Sequence, residues 1–240
     1  MPPDAPYRDA ADALYAAFAH VPRPTRVVGC PCCVPPDADR PLLARPPRDL
    51  GAQDLARYAA KALSTWGDEN DFRYFAPRLL ELAAGDAFAY PDTEIVFGKL
   101  GQAGWERWGQ RDAVAAFLDA FWTRTLLDRP GPLPIGRALC ALAAALPDVS
   151  SHLAGWARLP SEAAIRDLRD FAADELTWRG RRPGVRAGFW DTGSRPYRQV
   201  VAWLTEGAAA RAVGDAFERA GDETVLELLA ETDSLLRGPF

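Results

Sequence analysis

The chain has 240 residues, 48% of them hydrophobic and 25% charged, with a formal net charge of −5 and an isoelectric point near 5.2. Such a chain has the apolar content to bury a core and excludes intrinsic disorder, and its acidic balance removes the electrostatic case for nucleic acid or an anionic membrane as main partner. No apolar run approaches the length of roughly 18 residues that a spanning helix needs. The start, Met1-Pro2-Pro3-Asp4, lacks a basic segment followed by an apolar one, so a cytoplasmic location is expected.

Tyr7, Ala11, Leu14, Phe18 and Val21 recur at three- and four-residue spacing and predict an amphipathic helix over residues 4–20, stopped by Pro22 and Pro24. Residues 25–36 read as irregular and carry Cys30, Cys32 and Cys33, followed by a short helical turn over 37–44. Leu55, Tyr58, Ala59, Ala62, Leu63 and Trp66 predict a helix over 53–66, with Gly67 as its stop. Phe72, Phe75, Leu79 and Leu82 continue the pattern, with Pro77 expected to kink that helix or to begin its second part.

Asp92 is placed to cap a helix carrying Ile95, Val96 and Leu100, and a long helix over 111–127 presents Val114, Phe117, Leu118 and Phe121. Beyond Pro130-Gly131-Pro132, stripes at 135–146, 149–156 and 165–176 each predict a helix, the last capped by Ser161. Residues 179–193 read as the longest irregular stretch, and three helices over 194–205, 207–219 and 222–236 close the chain. No segment alternates with period two. The expected fold is therefore all-α, an irregular stack of antiparallel helical hairpins of about ten helices, without a strict repeat. Residues 1–129 and 130–240 form two parts or share one core.

The cysteine loop is the chief chemical oddity. Three of the four cysteines fall within Gly29-Cys30-Pro31-Cys32-Cys33, and in a reducing compartment such a cluster reads as metal-binding, redox-active or merely structural. Cys30 and Cys33 have the spacing of a zinc knuckle, with Cys32 secondary. A tetrahedral zinc needs two more ligands, and the candidates His20, Cys140 and His152 stand at no diagnostic spacing. A thioredoxin-like site is disfavoured because no strand precedes the cysteines.

Asp68, Asp71, Arg73 and Arg78 form a second candidate binding cluster. Carboxylates in such a turn suit a divalent cation, but the calcium-loop spacing is missing, and helix capping by Asp71 with ion pairing is the favoured reading. No nucleophile elbow, phosphate loop or dinucleotide fingerprint is present. Arg179, Arg181, Arg182 and Arg186 make the one basic cluster, read as a solvated loop. The indoles near 105–108 and 178–190 read as wedges between helices, with a recognition surface as the alternative.

The segments Gly29–Cys33, Asp54–Ala59, Thr65–Asp68, Asp71–Leu82 and Gly98–Leu100 together resemble a bacterial protein family with a GCPCC loop followed by TWGD and FRYF-type segments. The resemblance covers roughly residues 14–122 and implies a bacterial source, with no activity, substrate or cofactor attached. The scarcity of lysine, with only Lys61 and Lys99, agrees with a GC-rich bacterial genome. Two functions follow as expectations: a helical interaction or adaptor module for another protein, or a metal- (zinc) or thiol-dependent protein with its site at Cys30, Cys32, Cys33 and His20.

Overall fold

The helical periodicity of the sequence is realised in eleven α-helices among the described residues, 4–158, 161–180, 182–186 and 188–237 of a computed structural model. The fold is all-α. The chain packs as two compact units, Met1–Phe121 and Trp122–Phe240. Their division falls inside a helix, and the Pro130-Gly131-Pro132 segment belongs to the second unit.

The first unit holds α1 (Ala5–Phe18), α2 (Ala52–Lys61), α3 (Glu69–Ala84), α4 (Thr93–Ala103) and the first part of α5 (Arg111–Leu127). Helix α3 is its centre, packing on α1, α2 and α4. Phe72, Phe75, Leu79 and Leu80 on α3 are wholly buried. Tyr58 of α2 meets Phe75 at 5.0 Å between ring centroids and Trp66 at 5.5 Å, both edge-on, the arrangement that ring quadrupoles favour. Trp105 and Trp108 are buried too, so these indoles serve as core wedges.

Helix α2 stops short of its apolar stripe for a local reason. Helix α2 ends at Lys61 rather than Trp66, because the Lys61 carbonyl accepts from the amides of Ser64, Thr65 and Trp66, and Leu63 turns to φ +63°. Gly67, at φ +76°, belongs to the turn that enters α3. Helix α3 runs through Pro77, which is buried and costs the rung to Arg73.

Asp68, not Asp71, is the N-cap of α3. Its carboxylate accepts from the amides of Asn70 at 2.8 Å and Asp71 at 3.0 Å, while the Asp71 carboxylate accepts from the Asp68 amide at 3.1 Å. This reciprocal box satisfies donors that the first turn leaves without helical partners. Asp68→Ala is expected to cost about 1 kcal/mol in urea unfolding. A loss within error of zero would show the box to be ornamental.

The second unit contains the end of α5, then α6 (Ile135–Ala145), α7 (Ser150–Ala157), α8 (Glu162–Asp174), α9 (Arg195–Thr205), α10 (Ala208–Arg219) and α11 (Glu223–Arg237). Trp156 of α7 is fully buried, stacked on Trp203 at 5.1 Å and edge-on to Trp122 and Phe171. Its indole N–H donates to the Ala164 carbonyl at 3.0 Å. Ser161 caps α8 as expected, accepting from the Ala164 amide. At α7 the first turn is served by Asp148, which accepts from the Ser150 amide at 2.8 Å.

Part of the stretch read as irregular is ordered as a two-stranded antiparallel hairpin, β1 (Leu176–Arg179) with β2 (Arg182–Val185), pairing Leu176 with Val185. Arg181 and the Arg182 side chain of the basic cluster lie outside the described residues. Arg186 is exposed beyond the hairpin and its amide donates to the Glu175 carbonyl.

Candidate metal centre

The loop that carries the thiols is moored to the turn between α2 and α3. The Cys30 amide donates to the Thr65 carbonyl at 2.8 Å, and the Gly67 amide donates to the Val28 carbonyl at 2.8 Å. Gly29 and Trp66 thereby form an antiparallel bridge. The indole N–H of Trp66 adds a bond to the Val27 carbonyl at 3.2 Å, and buried Asp39 accepts from the Val27 amide at 3.1 Å. Past this anchor the chain curls into a single turn, with the amides of Cys33 and Val34 both donating to the Cys30 carbonyl.

Close approach at Gly29 makes the curl possible. A Cβ there would stand 2.5 Å from the Cβ of buried Val34, well inside van der Waals contact. The obstruction is a branched carbon next to the backbone, so the loop itself must move. Gly29→Ala is expected to cost about 1–3 kcal/mol of stability in urea unfolding, the usual range for overpacking. A variant as stable as the wild type would show that the turn opens freely.

The turn brings three sulfurs together, each within 4.8 Å of the other two. Cys32 is central, 2.9 Å from Cys30 and 3.5 Å from Cys33, measured between sulfurs. Spacing alone ranked Cys30 and Cys33 as the pair and Cys32 as secondary; the geometry gives Cys32 the shared position. Cys32 is exposed and its two neighbours are half-buried, so the cluster is open to solvent on one side.

The thiols are electrostatically unequal. The Cys32 thiol, and after it the Cys32 backbone amide, stabilises the Cys30 thiolate and holds Cys30 below the usual thiol range. Cys32, facing Cys30 and then Cys33, is pushed up to about 11. Cys30 and Cys32 thus differ in acidity, and an ion that takes the Cys32 sulfur as thiolate must displace its proton.

Among the described residues no histidine, aspartate or glutamate joins the three sulfurs. His20 is exposed just beyond α1 and is not in the group. Cys140 and His152 are buried within the second unit and do not contribute either.

The four polar candidates of the α3 region are occupied by structural partners. Asp68 and Asp71 form the capping box. Arg73 donates to the Gln110 side chain at 2.5 Å and lies over the Trp108 ring. Arg78 donates to the Leu50 carbonyl at 2.7 Å and to Glu81 at 2.6 Å, and Glu81 also accepts from Tyr15 at 2.6 Å.

One charged cluster escaped the sequence reading. In the second unit a cavity of about 310 Å³ is lined by Arg129, Asp167, Asp170, Asp174 and Glu175. Arg129 pairs with both Asp167 and Asp170. The two aspartates share a face of α8 by their three-residue spacing, but nothing local signals an arginine some forty positions earlier.

Among the described residues no helix is long and apolar enough to cross a membrane. No family model, curated protein or solved structure matches the chain.

Proposed function

We propose that the protein binds a thiophilic metal ion through Cys30, Cys32 and Cys33. The observation that carries this reading is the convergence of three sulfurs within 4.8 Å on a moored turn. Soft thiolates in such proximity are the donor set of zinc and of copper(I). The proposal includes a reducing, cytoplasmic setting, where thiols persist.

Elemental analysis of the purified full chain, paired with a count of reactive thiols before and after chelation, tests it. The expected result is one metal ion per chain, with three thiols unmasked on chelation, and loss of the ion in Cys30→Ser, Cys32→Ser and Cys33→Ser alike. Chain that neither carries metal nor takes it up, with freely reactive thiols throughout, would overturn the reading.

The rival reading, an interaction module, draws on exposed apolar side chains: Val28, Tyr90, Leu127 and Phe189. These stand at separate places in the chain rather than on one element. They support that reading less than the sulfur cluster supports metal.

A further inference from the structure

We infer that the loop takes a three-coordinate thiophilic ion, ligated by all three thiolates and by no fourth protein group, in preference to zinc. This inference rests on the metal-binding reading above and deepens it. Its basis is the makeup of the cluster: three sulfurs from one tetrapeptide, with no further His, Asp or Glu in the group among the described residues. A structural zinc site closes with four protein ligands, usually from two separated pairs. Here the second pair is missing.

The mooring argues against recruitment of a distant ligand. The amide of Cys30 is bonded to Thr65, the amides of Cys33 and Val34 to the Cys30 carbonyl, and Gly29 sits in close contact with Val34. The turn therefore presents its sulfurs as one unit, with the exposed Cys32 at the solvent side. Ions satisfied by three thiolates match this set.

Two kinds of ion share that chemistry. Copper(I) is a soft cation selected by thiolates, and its capture displaces the three thiol protons with no change in oxidation state. Arsenite reacts by condensation: As(OH)₃ and three thiols give the trithiolate and three waters, with As–S bonds replacing As–O bonds and each thiol proton leaving on a hydroxide. Neither step needs an oxidant or a reductant.

The test uses the reduced full chain, titrated separately with copper(I) against a chromophoric copper(I) chelator, with arsenite by intact mass and thiol count, and with zinc against a chromophoric zinc chelator. The expected result is one copper(I) or one arsenic per chain, three thiols consumed, three sulfurs in the X-ray absorption spectrum, and weaker zinc binding. Which of the two ions binds at lower concentration identifies the source.

Each single Cys→Ser variant in the loop should lose at least about 100-fold in affinity, the upper end of what even a lost outer-shell partner costs. Cys140→Ser should bind as the wild type does. Circular dichroism of each variant confirms that its helices remain. Zinc bound more tightly than both other ions, with a fourth ligand, overturns the inference and leaves the metal reading standing. Unaltered copper(I) and arsenite binding in Cys32→Ser overturns it as well. No thiol protected by any of the three ions defeats the metal reading itself.

Discussion

Truncation of Trp66 to alanine is expected to destabilise the protein by about 3–5 kcal/mol, the range for removing a large aromatic side chain from a core, and to weaken metal capture at the same time. The two effects share one cause. Trp66 is buried, its ring lies edge-on to Tyr58, its indole N–H bonds the Val27 carbonyl, and its backbone bridges Gly29. The residue therefore fills the core and holds the thiol loop. Trp66→Phe separates these roles by keeping most of the ring contact while losing the donor, for about 1 kcal/mol. Urea unfolding and chelator competition on both variants are the measurements. Undiminished metal affinity in folded Trp66→Ala would show that the loop holds its shape without the indole.

The stability of the protein is expected to carry a pH dependence that Asp167→Asn removes. Burial pushes the Asp167 carboxyl up to about 6, against the opposing pull of Arg129. Between about pH 4 and 6 the folded chain thus keeps a proton that the unfolded chain has released, so stability falls as pH rises through that window. Below it the contribution is fully present; above it the contribution is lost. Moving the carboxyl from 3.8 to about 6 corresponds to at most about 3 kcal/mol, reduced by whatever solvent screening reaches the pair.

Urea unfolding of wild type and variant at pH 4 and pH 7 reads this directly. The variant should gain relative to the wild type as pH rises. Asp148, held down to about 2 by its bonds to Ser150, acts with the opposite sign: its contribution is present above about pH 4 and fades toward 2. That contribution is common to both proteins and cancels in the difference. A difference independent of pH would assign the ionised Asp167 no cost.

The helical architecture was legible because it rests on local spacing. The stripe Tyr7, Ala11, Leu14, Phe18 is the buried face of α1, and Ser161 caps α8 through a bond only three residues long. The end of α2 was not legible, since an apolar stripe continues through Leu63 and Trp66 while the Lys61 carbonyl gathers three amides and stops the helix. The β1–β2 hairpin was hidden for another reason: strands of four residues, one containing Pro183 and Gly184, are too short for alternation to declare itself.

At the thiol loop, composition identified the residues but not their ranking. A CxxC spacing draws attention to the first and last sulfurs, whereas the curl after Cys30 places the middle one between them. The bridge from Gly29 to Trp66 joins segments far apart in sequence. So does the pairing of Arg129 with α8. No local pattern encodes either partner.

The mooring of the loop at Thr65 and Gly67 has a thermodynamic consequence. A tetrapeptide moored at its start and closed on itself by the bonds from Cys33 and Val34 to the Cys30 carbonyl has little conformational entropy left to lose when an ion arrives, so ordering the site is largely complete once the chain has folded. What remains to oppose capture is the removal of the Cys32 proton, whose thiol is pushed up to about 11, and the stripping of water from the ion. Affinity should then follow acidity closely, with the loop behaving as a preset thiolate buffer rather than as a segment that folds around its cargo.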